Sequence, residues 1–411
     1  MALLLRLLIM AAILLIIDFY AYQAVRTAFR ENVWARWVYW AISVGVLTFI
    51  IYGFLSFDRS RGPQHGTFSL LMGTVILFLV PKLILLVIML GEDVGRLLSG
   101  TVRKIAHGSE AEFIADRRKF ISQTALVLAA IPFAGILHGI WKGRYNYRVI
   151  RKTLTFKDLP PAFDGLTITQ ISDIHSGSFD NAEKIKYGID LINEQQSDLI
   201  LFTGDLVNNR ADEMDPWIEH FARLKAPMGK FSILGNHDYG DYINWPSDDA
   251  QEANMQKLYR THDKIGFRLL RNEHIKLQKG NDSINLVGVE NWGNGSFAKH
   301  GDLDVASEGI GDGDFNILMS HDPSHFDAIV KSFKKWMHVT LSGHTHGMQF
   351  GIEIPGFIKW SPVKYRYPKW AGLYEEAGRY LYVNRGFGFL AFPGRVGIWP
   401  EVSVLTLKRE V

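Results

Sequence analysis

The sequence predicts a layered α/β domain that is preceded by a transmembrane helical region. Apolar residues dominate the chain up to about residue 140. From Leu166 onward, short strand-like runs alternate with helical patterns, and polar clusters follow several of these runs directly. We therefore divide the 411 residues into a membrane region, 1–143, and a soluble domain, 144–411.

Four apolar stretches, each of about 20 residues, are long enough to cross a hydrocarbon core of roughly 30 Å as helices. These stretches are Leu3–Tyr22, Val33–Leu55, Phe68–Met89 and Ile121–Ile140. Pro81 and Pro132 interrupt two of them, which a helix bundle tolerates because neighbouring groups satisfy the freed backbone atoms. We expect a multi-pass protein of the plasma (inner) membrane, with the lipid bilayer as a partner.

The connection between the third and fourth stretches carries the most basic residues, which favours a cytoplasmic location for it. Its basic residues are Arg96, Arg103, Lys104, Arg117, Arg118 and Lys119. The segment from Asp116 to Ser122 runs into an apolar stretch and resembles a twin-arginine export signal at an internal position. This resemblance implies that the soluble domain is extracytoplasmic. The alternative is an ordinary basic stop beside a membrane helix, and basic residues such as Arg144 and Lys152 oppose the export orientation.

Charge and cysteine content restrict the chemistry. The chain has 45 basic and 42 acidic residues, a formal net charge of +3, so no strong positive field favours nucleic acid and we expect none as a partner. The absence of cysteine excludes disulfides, thiolate metal sites and cysteine nucleophiles. Any bound metal must therefore be held by His, Asp, Glu or Asn.

Seven short apolar runs have the length and the residue types of strands. The runs are Leu166–Ile171, Leu199–Phe202, Phe231–Leu234, Ile284–Val289, Phe315–Met319, His338–Leu341 and Tyr380–Val383. Helical patterns lie between several of them, at Ala182–Glu194, Pro216–Leu224, Gln251–Ile265 and Ser324–Phe333. Because ligands bind beyond the carboxyl ends of strands in open α/β sheets, we expect the polar clusters there to share one crevice.

Five such clusters follow the predicted strands and supply His, Asp and Asn side chains. The clusters are Ser172-Asp173-Ile174-His175, Gly204-Asp205, Gly235-Asn236-His237-Asp238, Ser320-His321-Asp322 and Gly343-His344-Thr345-His346. Carboxylate, imidazole and amide oxygen ligands suit hard or borderline divalent metals. The strand period of two directs Asp173 and His175 the same way, so both can hold one ion. Asp205 follows a glycine that allows a sharp turn, where its two oxygens can bridge two ions.

This series of motifs resembles the calcineurin-like metallophosphoesterase superfamily, over the soluble domain from about Leu166 to the end. A membrane-anchored bacterial branch of that superfamily is the most similar. The resemblance implies a β-sandwich flanked by helices and two divalent ions, which are Mn, Fe or Zn. The first ion would be held by Asp173, His175, Asp205 and His346, and the second by Asp205, Asn236, His321 and His344. His237 would then be catalytic and protonate the leaving oxygen, with Asp238 orienting it, while the ions activate a water for in-line attack.

One segment departs from the pattern of the superfamily's Ser/Thr phosphatase branch. That branch has an acidic residue and a phosphate-binding arginine shortly after the bridging aspartate. In this chain Arg210 comes one place late and the acidic residue is missing. Protein phosphatase activity is therefore not expected.

The sequence thus predicts a hydrolase that acts on a phosphodiester or phosphomonoester of lipid or envelope origin. Two alternatives are a nuclease or cyclic-nucleotide phosphodiesterase, and a non-catalytic metal-binding membrane scaffold. His237 argues against the scaffold, because a structural metal site has no use for a histidine that is not a ligand. The aromatic segments Tyr239–Pro246 and Phe357–Trp370 either line a substrate pocket or cover the core and the lipid interface.

Overall fold

A computed structural model describes residues 2–56, 66–107, 115–295, 297–354 and 356–410. It has four long helices followed by mixed α/β sheets. The chain separates into two compact units, of which the second begins at Trp141. The four helices, α1 to α4, are Ala2–Ala28, Val33–Leu55, Gly66–His107 and Ala115–Trp141.

All four helices are long and apolar enough to cross a membrane, which confirms the predicted transmembrane region. The predicted end of the third helix at Met89 was too early, because α3 continues to His107 and is 42 residues long. The part of α3 after Met89 contains charged residues as well as Leu97 and Leu98. Its mean hydropathy is therefore lower, although the helix continues. Pro81 lies inside α3 and Pro132 inside α4 without ending either helix.

Two buried charged side chains of the helical unit, Asp18 and Lys82, form an ion pair. Asp18 Oδ1 on α1 lies 2.5 Å from Lys82 Nζ on α3, and both side chains are buried. The Tyr39 hydroxyl donates to Asp18 Oδ1 at 3.0 Å, and Lys82 donates to Ser43 Oγ at 3.1 Å. Because an unpaired charge in hydrocarbon is costly, this network explains how an apolar bundle accommodates two ionic residues.

The second arginine of the proposed export signal has a structural partner. Arg118 on α4 pairs with Asp93 at 2.6 Å and with Glu92 at 3.3 Å, both on α3. This pair joins the start of α4 to the extension of α3. The twin-arginine interpretation stays a prediction.

Within the described residues, the second unit contains fourteen strands and five α-helices. Strands β1 to β14 are Arg148–Phe156, Thr167–Ile171, Leu199–Phe202, Lys230–Ser232, Arg268–Leu269, Glu273–Lys279, Asp282–Gly288, Asn316–Met319, Val339–Ser342, Ile352–Ile354, Ile358–Trp360, Gly372–Glu376, Arg379–Val383 and Glu401–Arg409. Helices α5 to α9 are Ala182–Asn193, Ile218–Phe221, Asp248–Lys264, Leu303–Ala306 and Ser324–Ala328.

Two six-stranded sheets form the domain, in the orders β1-β14-β2-β3-β4-β5 and β12-β13-β9-β8-β7-β6. Strands β2, β3 and β4 are parallel to one another, as are β7, β8, β9 and β13. Strands β10 and β11 form a separate two-stranded ribbon.

Alternation along the strands explains why the two sheets pack face to face. In β3, Leu199 and Leu201 point into the core that also contains Leu286 of β7 and Ile317 of β8. Phe202, in the same strand, points to the opposite face, where α5 and α7 cover the sheet. A third cluster places α8 and α9 against the second sheet. The predicted β-sandwich flanked by helices is therefore confirmed.

Two predicted helices were too long. The segment Pro216–Leu224 is a 3₁₀ turn, Ala211–Trp217, that leads into the single turn of α6. The segment predicted from Ser324 to Phe333 contains α9 and then a separate 3₁₀ turn, Val330–Ser332. Both segments lie against the core, so their apolar residues follow the surface of the sheet instead of one helix face.

Candidate metal centre

The five predicted clusters lie just beyond the carboxyl ends of strands in both sheets. Asp173, Asp205 and Asn236 follow β2, β3 and β4 of the first sheet. His321 and His344 follow β8 and β9 of the second sheet. Since each group of strands is parallel, the clusters of each sheet emerge at the same edge, and the contacts below bring the two edges together.

Backbone contacts fix these loops to one another. The Asp173 amide donates to the Gly204 carbonyl at 2.9 Å, and the Gly343 amide donates to the His321 carbonyl at 2.9 Å. A Cβ on Gly343 would lie 2.0 Å from Ser172 Oγ and 2.3 Å from Asp173 Oδ2. Only glycine fits at that position, so the approach of the two sheets depends on it.

Five of the seven predicted metal ligands have left-handed backbone conformations. The φ values are 51° for Asp173, 49° for His175, 62° for Asp205, 69° for His344 and 50° for His346. A non-glycine residue in this region costs on the order of 1–3 kcal/mol and persists only where its surroundings hold it there. These conformations lower the stability of the fold, and they direct the five side chains toward one region.

The first group of donor atoms contains Asp173, His175 and His346, whose donor atoms all lie within 4.8 Å of one another. The Nε2 atoms of His175 and His346 are 3.0 Å apart, and His346 Nε2 is 3.1 Å from Asp173 Oδ1. Asp205 Oδ2 is 3.5 Å from His175 Nε2 and so adjoins this group.

The second group contains Asp205, His321 and His344, whose donor atoms also lie within 4.8 Å of one another. Asp205 Oδ2 is 3.2 Å from His321 Nε2. Asn236 Oδ1 is 2.8 Å from His344 Nδ1. A single carboxylate oxygen, Asp205 Oδ2, therefore adjoins both groups, as a ligand that bridges two ions would.

The donor set fits divalent cations. Asp173, His175 and Asp205 are almost completely buried, and burial of two carboxylates side by side requires compensating positive charge. His321 Nδ1 contacts the Thr203 carbonyl at 2.7 Å and therefore carries a hydrogen, while Nε2 faces Asp205 without a hydrogen-bond partner. Burial lowers the pKa of His321, but Asp205 outweighs it and raises this pKa to about 10. In the absence of metal, a proton on His321 thus supplies part of the missing charge.

His237 lies beside the groups without joining either one. Its ring centroid is 5.0 Å from that of His175 and 4.5 Å from that of Tyr242. Its Nδ1 contacts the Asn208 carbonyl at 2.8 Å, which fixes the hydrogen on Nδ1 and leaves Nε2 available. Burial lowers the pKa of His237, although Asp205 opposes the shift.

Asp238 does not orient His237 through its side chain, contrary to expectation. Its carboxylate accepts four backbone hydrogen bonds, from the amides of Asp205, Leu206, Val207 and Gly235. The carbonyl of Asn208 holds the His237 ring instead. Asp238 therefore shapes the loop that carries Asp205, because its side chain turns back toward that loop.

A contact that the sequence did not reveal involves His344, Tyr367 and Asp322. His344 Nε2 is 2.9 Å from the Tyr367 hydroxyl, which donates to Asp322 Oδ2 at 3.1 Å. The hydroxyl therefore accepts from Nε2–H, which leaves the lone pair of Nδ1 free for a cation that Asn236 Oδ1, 2.8 Å away, would share. The aromatic segment 357–370 gave the only sequence signal for Tyr367.

We expect Tyr367→Phe to weaken the binding of the second metal ion by roughly 10-fold, because outer contacts that orient a histidine ligand contribute about 10- to 100-fold to metal affinity. Titration of Mn²⁺ into metal-free protein, followed by calorimetry, measures this. Tyr365→Phe is the matched control, since Tyr365 is 78% exposed. Equal affinities in the two variants would contradict the assigned role.

The two aromatic segments have different roles. Tyr242 packs on His237, and its hydroxyl accepts from Asn236 Nδ2 at 2.8 Å, so this segment borders the site. Trp370 is 3% exposed and packs with Val363 and Ile398, so it covers a small core. Within the second segment, Tyr367 reaches the site and Trp370 does not.

The fold and the paired donor groups define a metal-dependent hydrolase. Residues 166–348 match the family described as "Calcineurin-like phosphoesterase". Residues 4–144 match "Probable Calcineurin-like phosphoesterase, transmembrane domain". The protein belongs to the calcineurin-like metallophosphoesterase family, and its N-terminal part is a four-helix transmembrane phosphoesterase domain.

Three relatives illustrate the similarity. The chain is 34% identical to the uncharacterized metallophosphoesterase YkuE of Bacillus subtilis, over 71% of this chain and 98% of YkuE. It is 29% identical to the UDP-2,3-diacylglucosamine pyrophosphatase LpxG of Chlamydia trachomatis, over 64% of this chain and 90% of LpxG. It is 25% identical to a transmembrane protein with metallophosphoesterase domain of Danio rerio, over 70% of this chain and 63% of that protein.

Proposed function

We propose that the protein is a binuclear metallohydrolase that cleaves a phosphoester, or the related phosphoanhydride bond of a pyrophosphate, in a lipid or envelope precursor. The position of Asp205 Oδ2 between the two donor groups carries the binuclear part of the proposal. The membrane helices and the similarity to LpxG, which is named for a lipid-linked pyrophosphate substrate, support the substrate class.

Asp173, His175, Asp205 and His346 would hold one ion, and Asp205, Asn236, His321 and His344 would hold the other. A bound pair of divalent ions, of which Mn is our first candidate, supplies a water of lowered pKa and neutralises charge on the phosphate. His237 would hold a proton at Nε2 and give it to the leaving oxygen, because its Nδ1 is already engaged by Asn208. Tyr242 would limit access of water to that side of His237.

The substrate class is tested by comparing kcat/KM for four compounds with the full-length, Mn²⁺-loaded protein in detergent. The compounds are UDP-2,3-diacylglucosamine, a simple phosphodiester, a simple phosphomonoester and a cyclic nucleotide. We expect the first to be the best substrate. Faster hydrolysis of the cyclic nucleotide than of every other compound would favour the phosphodiesterase alternative instead.

We also propose that the catalytic domain is extracytoplasmic. If all four helices cross the membrane, the connection α1–α2 and the connection α3–α4 lie on one side, and the chain after α4 lies on the other. The side with the α1–α2 and α3–α4 connections carries five basic residues, Arg26, Arg30, Arg36, Arg103 and Lys104. By the positive-inside rule, that side is cytoplasmic. A twin-arginine signal at Arg117 would agree with this orientation.

Spheroplasts that express the protein should hydrolyse a membrane-impermeant phosphodiester without lysis, because the site would face the medium. Lysis should then increase the activity by less than about twofold. Spheroplasts expressing a variant with Asp205→Asn correct for background. Activity that appears only after lysis would contradict the proposed orientation.

A further inference from the structure

A large open cavity lies among the helices of the membrane unit. It has a volume of about 840 Å³ and lies where α1 ends and where α2 and α4 begin. Five basic residues line it, namely Arg26, Arg30, Arg36, Arg118 and Lys119. Among the described residues, two acidic ones, Glu31 and Asp116, line it as well. The cavity is therefore basic.

Among the described residues, most of this positive charge has no counterion. Arg118 is neutralised by Glu92 and Asp93. Arg26, Arg30 and Lys119 form no ion pair with any residue that the structure describes. Arg36 donates to the Arg30 carbonyl, while its buried Nε has no hydrogen-bond partner among the described residues. The cavity thus offers an unpaired buried donor together with free cationic side chains.

The residues around the cavity place it at the boundary between lipid and water. Trp34 and Trp37, at the start of α2, are 79% and 67% exposed, and Phe120 of α4 is 68% exposed. Exposed tryptophans at helix ends are typical of the headgroup level of a bilayer. The basic side chains therefore lie at the depth of lipid phosphates.

We infer that this cavity binds the phosphate of an anionic phospholipid headgroup. Guanidinium groups match phosphate oxygens in charge and in fork geometry, and basic pockets between transmembrane helices suit such headgroups. A phosphate oxygen would accept a hydrogen bond from Arg36 Nε, and its negative charge would offset part of the positive charge of Arg26, Arg30 and Lys119. A zwitterionic headgroup adds an ammonium group that these residues repel, so the cavity selects anionic lipid.

The cavity is distinct from the hydrolytic site. Its lining residues all belong to the helical unit, whereas the candidate metal ligands all belong to the second unit. No candidate metal ligand lines it. Its lipid is therefore a bound ligand of the membrane domain and is separate from the substrate.

The test uses the full-length protein in detergent, titrated with phosphatidylglycerol or phosphatidylcholine and followed by native mass spectrometry. We expect phosphatidylglycerol to bind at least about tenfold more tightly. The double variant Arg26→Gln/Arg36→Gln should bind phosphatidylglycerol about 25-fold more weakly. The reason is that each basic residue contributes roughly fivefold to the affinity for an anionic headgroup. The matched control is Arg103→Gln/Lys104→Gln, which removes the same charge from exposed positions of α3 outside the cavity.

Equal affinity for the two lipids, or equal loss in both double variants, would overturn the proposal. A third arm adds 5 mM inorganic phosphate. Failure to displace the lipid supports a headgroup site, whereas full displacement would assign the cavity to a soluble phosphate and overturn the lipid assignment. Each variant is compared by melting temperature and gel filtration, and if the double variant is misfolded, Lys119→Gln alone should weaken phosphatidylglycerol by about fivefold.

Discussion

Replacement of Asp205 by Asn is expected to reduce phosphoesterase turnover by about 10³-fold or more, because one carboxylate oxygen serves both donor groups. The amide keeps the volume of the side chain and removes its charge. Metal content, measured by inductively coupled plasma mass spectrometry, should fall from two ions per chain to one or fewer. Activity and metal content should therefore fall together.

Asp212→Asn is the matched control for this variant. Asp212 lies on the same segment, is exposed, and pairs only with Arg210 among the described residues. It should retain both ions and full activity. If Asp205→Asn kept two tightly bound ions and wild-type turnover, the bridging arrangement would be wrong.

For a phosphodiester with an alcohol leaving group, His237→Ala is expected to lower kcat by about 10²- to 10⁴-fold, the usual range for loss of a general acid. The reason is that the Asn208 carbonyl holds its Nδ1, which leaves Nε2 available, and neither group of donor atoms in the described residues includes it. Two ions should remain bound. Loss of turnover with retained metal distinguishes the role of His237 from that of Asp205, whose replacement should reduce both turnover and metal content.

His220→Ala provides a control, because His220 lies on α6 and, among the described residues, its ring contacts Trp217 alone. A leaving group of low pKa should partly rescue His237→Ala, since such a group departs without a proton. Equal losses for good and poor leaving groups would rule out the proton donor role and leave His237 with a binding role.

Local patterns were sufficient to predict most of the fold. The run Leu199–Phe202 is hydrophobic at every position because both of its faces are buried, and such a run marks a central parallel strand. The glycines and polar residues after these runs marked the strand ends, so Asp205 and His344 could be located without coordinates. The four apolar stretches predicted the four long helices of the membrane region just as directly.

Other features depend on contacts between distant residues. β1 was missed because most of its residues are at least partly exposed, and its pairing with β14 joins Arg148 to Glu401. The role of Asp238 depends on which loop its carboxylate faces. The position of His237 next to it in the sequence does not indicate that loop. Tyr367 reaches His344 only because two loops of the folded domain meet.

The position of β14 has a consequence for biosynthesis. This strand lies between β1 and β2 and holds them together, although β1 and β2 are made long before it. Strand β2, which leads to Asp173, therefore lacks its neighbour on that side until the ribosome has made residues 401–409. Until then the apolar edge of β2 is open to wrong partners, so the nascent chain depends on protection from aggregation late in synthesis.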